Sequence, residues 1–250
     1  LALCSMAWTA QAETIPATPL QAATPVKSHN INIQRWQLDN GAKVLLVERH
    51  ELAMVDIDVA FDAGTRRDAA NKIGVADYAG ALMDMGAGDL SEEDIRKQSS
   101  DLAVTVASYA GLERAGVRIR SLSAAPTLTP TLALANTILT QPRYEAAVLK
   151  REQDRSVLSL KQNETNTQFL GSRAMTRLNY PKHPYGYSAW ENEKTIRAIT
   201  VADLKRFHAQ HFRPQTAVIS IVGDMNRSPA VALAKTLLAG LQQEPIKLKH

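Results

Sequence analysis

Between residues 31 and 38 apolar and polar side chains alternate, Asn40 and Gly41 supply a turn, and residues 43–48 return with Val44, Leu45, Leu46 and Val47. A period of two broken by Asn-Gly predicts a β-hairpin. Residues 54–61 alternate again, with Val55, Ile57, Val59 and Phe61 on one face and Asp56 and Asp58 on the other, which predicts a third strand. Further strands are expected at 102–109 and 112–123, joined near Ala110 and Gly111, and a buried one at 215–222. Elsewhere the spacing is helical: 126–140 with Leu128, Leu132, Leu134 and Leu139 as its apolar set, then 144–161, 165–178, 200–212 behind a Thr200 cap, and 228–241. Ser91, Glu92, Glu93 and Asp94 open a shorter helix, its acids well placed against the helix dipole. Hairpins followed by runs of helices, without regular βαβ alternation, define the fold class as α+β, a largely antiparallel sheet with helices packed on it.

The chemistry turns on the stretch Gly74-Val75-Ala76-Asp77-Tyr78-Ala79-Gly80-Ala81-Leu82-Met83-Asp84-Met85-Gly86. On a helix, positions 77, 80 and 81 share one face. This frame resembles the zinc helix of the insulinase/pitrilysin metallopeptidases, which are inverzincins reading G-x-A-H-x-x-E-H-x-(L/M)-x-x-G. Gly74, Ala76 and Gly86 match. Asp77, Gly80 and Ala81 stand where the first His, the catalytic Glu and the second His belong. A catalytic zinc needs three protein ligands and an open position for water, and Gly80 and Ala81 offer no lone pair. In the family a later helix supplies the third ligand, a Glu seven residues beyond another functional Glu. The matching segment here puts Glu152 at the first position and Ser159 at the ligand position.

The resemblance spans about residues 31–241. It also includes Asp62-Ala63-Gly64-Thr65-Arg66-Arg67-Asp68, His183-Pro184-Tyr185-Gly186, Phe212-Arg213-Pro214 and Val222-Gly223-Asp224, in family order. It implies an insulinase-like domain over 31–245, the first of a tandem pair, whose second member is absent from this chain. It further implies that no zinc is bound here, and that a homologous subunit with an intact H-x-x-E-H carries the zinc in a heterodimer acting on peptides. In catalytic relatives an edge strand binds substrate by adding the peptide as an extra strand; Val106, Ala107 and Ser108 match that place. Two other readings stay open: a zinc endopeptidase in its own right, and a scaffold subunit without proteolysis.

Other sites are weaker. His208 and His211, three apart on one helix, have no evident third ligand for a metal, and Asp77 with Glu152 offers only two carboxylates for a hard cation. Glu152 is expected to pair with a nearby Arg. Gly80 beside Ala81 makes a flat helix surface, on which the helix around Glu152 or a partner should pack. No Ser-His-Asp or Cys-His set, phosphate loop or dinucleotide fingerprint appears.

Composition adds little beyond this. The 250 residues are 45% hydrophobic and 22% charged with a net charge of +4, and the basic residues are scattered among acids, which argues against a nucleic-acid partner. Residues 1–12 are apolar and end Ala10-Gln11-Ala12, which reads as the remnant of a secretory signal, hence export across the inner membrane to the periplasm. The only cysteine, Cys4, lies in that segment. Residues 13–30, with Pro16, Pro19 and Pro25, read as a linker. No other run approaches the ~20 apolar residues of a membrane helix.

Overall fold

The computed structural model describes residues 31–243; the expected signal remnant, the linker and the domain's end at 245 lie outside the described residues. The chain runs β1 (Gln34–Gln37), β2 (Lys43–Glu48), β3 (Met54–Phe61), α1 (Val75–Ala81), α2 (Glu92–Asp101), β4 (Thr105–Ala110) and β5 (Ala115–Leu122). It continues through α3 (Ala125–Thr140), α4 (Ala146–Gln162), α5 (Thr167–Asn179), α6 (Glu193–Arg197), α7 (Val201–His211), β6 (Val218–Gly223) and α8 (Arg227–Leu238). The α+β reading holds. A six-stranded sheet has the order β1-β2-β6-β3-β5-β4, and every pairing is antiparallel except β2 with β6.

Alternation decides which face of the sheet is covered. Val44, Leu46, Val55, Ile57, Val59, Phe61, Val117, Ile119, Ile219 and Ile221 are buried under the helices, where α1 packs on β4 and α7, and α3 on β5 and α8. Fully burying one such side chain contributes roughly 1.5–3 kcal/mol, so this face dominates the stability of the sheet. The opposite face is open, with Asp56 bound to Arg120 at 2.6 Å, Arg118 over the Tyr109 ring at 4.3 Å, and Val222 exposed. The strand expected to be buried at 215–222 is therefore buried on one side only.

Two further differences appear. β4 begins at Thr105, because α2, closed by a full Ser91/Asp94 capping box, runs to Asp101 and Ala103 then turns with φ 53°. Residues Pro184–Trp190 form a 3-10 helix that lacks the periodicity by which sequence could reveal it.

Candidate functional site: a filled zinc-helix position

α1 follows a 3-10 turn at Thr65–Arg67 and begins at Gly74, whose φ of 94° is a left-handed conformation natural to glycine. The free amides of its first turn are capped from outside the helix. Buried Asp68 accepts from the Gly74 amide through Oδ2 and from the Ala76 amide through Oδ1, each at 2.7 Å. Burial pushes the Asp68 carboxyl up to about 7 despite these bonds, and the neighbouring charges of Asp77 and Glu191 act in the same direction. Asp77 keeps exposed surface, yet surrounding protein desolvates its carboxyl and raises its pKa. Glu191 is raised too, first by burial and then by Asp77.

Gly80 faces the sheet. A Cβ placed on it would lie 2.9 Å from the Ala110 Cβ, 2.9 Å from the Ala115 Cβ and 2.9 Å from the Tyr109 carbonyl oxygen. This corrects the expectation that the helix around Glu152 or a partner covers the flat surface at Gly80: β4 and the start of β5 cover it. Real side chains essentially never approach so closely, and two of the three contacts are short, stiff groups. The position where the family carries its catalytic Glu is thus occupied by the sheet. Ala81, next in line, is half-buried, and its carbonyl accepts from the Ser108 hydroxyl at 3.1 Å.

Glu152 on α4 is buried and ion-paired with Arg151 at 2.8 Å and Arg155 at 3.0 Å, the pairing the sequence suggested. Ser159, two turns further along α4, is exposed. His208 is buried with Nε2 2.9 Å from the Leu139 carbonyl and its ring stacked on Phe212, while His211 packs on Phe207. Burial pulls both imidazoles down to about 4, so they are neutral packing groups near pH 7. Among the described residues no group of three or more His, Cys, Asp and Glu side chains is arranged to hold a metal ion.

The residues at 77, 80, 81 and 159 therefore do not fit a zinc ion. One carboxylate, a glycine with no room for a side chain, an alanine and an exposed serine cannot supply three ligands. The carboxyls near α1, Asp68, Asp77 and Glu191, are each raised first by burial.

Val106, Ala107 and Ser108 lie on β4, an outer strand of the sheet, as the edge-strand reading requires. The Ser108 amide donates to Asp84 Oδ2 at 3.0 Å. Sequence reasoning missed Asp84, Tyr144 and Glu191. Tyr144 is buried, and its hydroxyl donates to the Ala79 carbonyl at 2.6 Å, bracing α1 from the start of the α4 segment. Asp68 had a signal, since it ends the Ala63-Gly64-Thr65-Arg66-Arg67-Asp68 segment already matched to the family.

Comparison with known proteins agrees with this architecture. The family profile described as the peptidase M16 inactive domain matches residues 198–250. Cytochrome b-c1 complex subunit 1 of Bos taurus is 21% identical over 225 residues, covering 90% of this chain and 45% of that protein. The zinc protease PqqE of Helicobacter pylori is 24% identical over 207 residues, covering 79% and 45%. The crystal structure of a peptidase M16 inactive domain from Pseudomonas fluorescens superposes with a TM-score of 0.83 at 32% identity, covering 88% of this chain and 53% of that one. The periplasmic protease PqqL of Escherichia coli has the same fold, with a TM-score of 0.74 at 16% identity, covering 87% of this chain and 25% of that one. The chain spans about half the length of the curated relatives it matches. Among the described residues no helix is long and apolar enough to cross a membrane.

Proposed function

We propose that this chain, which is similar to M16 peptidase proteins over part of their length, is a non-hydrolysing subunit that pairs with a zinc-bearing homologue. The observation that carries this reading is the packing at Gly80. The general-base position has lost its side chain, and the space for one is filled by Ala110, Ala115 and Tyr109. A chain built this way contributes walls and contacts to a peptide-handling assembly, while the partner supplies metal-activated water. Export to the periplasm is part of the proposal, supported by the Ala10-Gln11-Ala12 signature and by the periplasmic Escherichia coli protease among its structural neighbours.

The test is zinc content of the purified chain after dialysis against metal-free buffer, with cleavage of an unfolded peptide measured for the chain alone and mixed with a homologue carrying H-x-x-E-H. No zinc, no cleavage alone, and cleavage that rises when the two are mixed are the expected results. Tightly held zinc or cleavage by the chain alone would establish the independent endopeptidase instead. The bovine relative, named as a subunit of the cytochrome b-c1 complex, favours a second reading, a scaffold without proteolysis. A stable complex that leaves the peptide intact would select it.

A further inference from the structure

β4 is bonded to β5 on one side only, so alternate backbone groups along it face away from the sheet. The Ser108 amide, bound to Asp84 Oδ2 at 3.0 Å, is one of these, and alternation places Val106 and Ala110 outward with it. Ser108 is held twice, because its hydroxyl also donates to the Ala81 carbonyl at 3.1 Å. Towards the start of β4 the same edge borders a groove of about 310 Å³ between the strand and α2, lined by Met85, Glu92, Ile95, Ser99, Val104 and Val106. The edge is roomy beside Val106 and stopped at Ser108.

An extended peptide adds to a sheet by exchanging main-chain hydrogen bonds with just such outward groups. The Asp84 carboxylate occupies the position that the carbonyl of an added strand would take on the Ser108 amide. It is a charged acceptor on the same chain, so it outcompetes a neutral carbonyl arriving from solution. We propose that Asp84 is an intramolecular gate on the β4 edge, closing it at Ser108 against extended peptides. This rests on the reading of the chain as a non-hydrolysing subunit, and it names what keeps a peptide from settling on the subunit that cannot cleave it.

The test is fluorescence polarisation of a short dye-labelled Thr/Val peptide with the purified chain. Asp84→Ala is expected to bind about tenfold more tightly than wild type, the worth of about one main-chain hydrogen bond. Asp84→Asn, which keeps an oxygen for the Ser108 amide but loses the charge, is expected to fall between wild type and Asp84→Ala. Equal affinity of the wild type and Asp84→Ala overturns the gate. Should Asp84→Ala fail to fold, amide exchange on the wild type decides: Ser108 is expected to exchange more slowly than Val106, and equal rates overturn the proposal. Zinc content and cleavage with the homologue are read separately, so the gate can fail while the non-hydrolysing role stands, and the reverse.

Discussion

Asp68 caps Gly74 across the loop that precedes α1, its Oδ2 2.7 Å from the Gly74 amide while Oδ1 holds the Ala76 amide. A carboxylate at a helix N-terminus is ordinarily favourable. Here burial outweighs that benefit and moves the pKa from 3.8 to about 7.

Stability should therefore depend on pH in a stated direction. Between about pH 4 and 7 the folded chain retains a proton that the unfolded chain has lost, so the contribution is full below pH 4 and is lost as pH rises through 7. Asp77 and Glu191 are shifted the same way and add to the slope. For Asp68 the change is on the order of 4 kcal/mol at most. Asp68→Asn should flatten the melting temperature against pH across this window; an unchanged slope would assign the dependence to other groups.

At Gly80 the ordinary helix rule reverses. Glycine in a helix usually costs roughly 0.5–1 kcal/mol relative to alanine. With Ala110 and Ala115 at 2.9 Å from a would-be Cβ, Gly80→Ala should instead destabilise by about 1–3 kcal/mol, and Gly80→Leu by more. Urea denaturation reads this as a lower midpoint at constant slope. Adding Ala110→Gly to Gly80→Ala should recover part of the loss. A Gly80→Ala chain more stable than wild type would show that α1 is not seated on β4.

Lys72 ties the approach to α1 to α7, with Nζ 2.7 Å from Asp203 Oδ2 and 2.7 Å from the Ala198 carbonyl. Burial pulls the Asp203 carboxyl up, but the bonds from Lys72 and Thr200 outweigh it and hold the pKa at about 2. That stabilisation is present above pH 3.8 and is lost as pH falls through 2. Asp203→Asn should cost about 2 kcal/mol at pH 7, because it weakens charge-assisted bonds at a buried position. It should also shallow the acid limb of the stability profile. A full-strength acid limb in Asp203→Asn would remove this residue from the account.

The strands were legible because one covered face leaves a period of two. Partners brought from far along the chain were not. β6 enters between β2 and β3 and runs parallel to β2, a non-local choice that the run around Ile219 and Ile221 does not encode. What covers Gly80 was misassigned for the same reason: nothing local connects it to Tyr109 or Ala115. Asp84 could not be singled out either, since its role exists only where the turn after α1 meets Ser108.

α5 gives the last prediction, because none of its residues is buried. Its inward side is tied down by Arg173, which donates to the Glu191 carbonyl at 2.6 Å, and by Arg177, which donates to the Ala189 carbonyl at 2.9 Å and lies 4.6 Å from the Trp190 ring centre. Met175 and Leu178 fall away from these arginines by helical spacing and are exposed, Leu178 by 75%. An apolar side chain already in water has little transfer energy left to lose. Leu178→Ser and Met175→Ser should each change stability by no more than about 0.5 kcal/mol. Arg177→Ala should cost about 1–2 kcal/mol, through the lost carbonyl bond and the ring contact together. Thermal melts of the three variants separate the two sides of the helix. A loss above about 1 kcal/mol for Leu178→Ser would mean that these side chains are covered in solution.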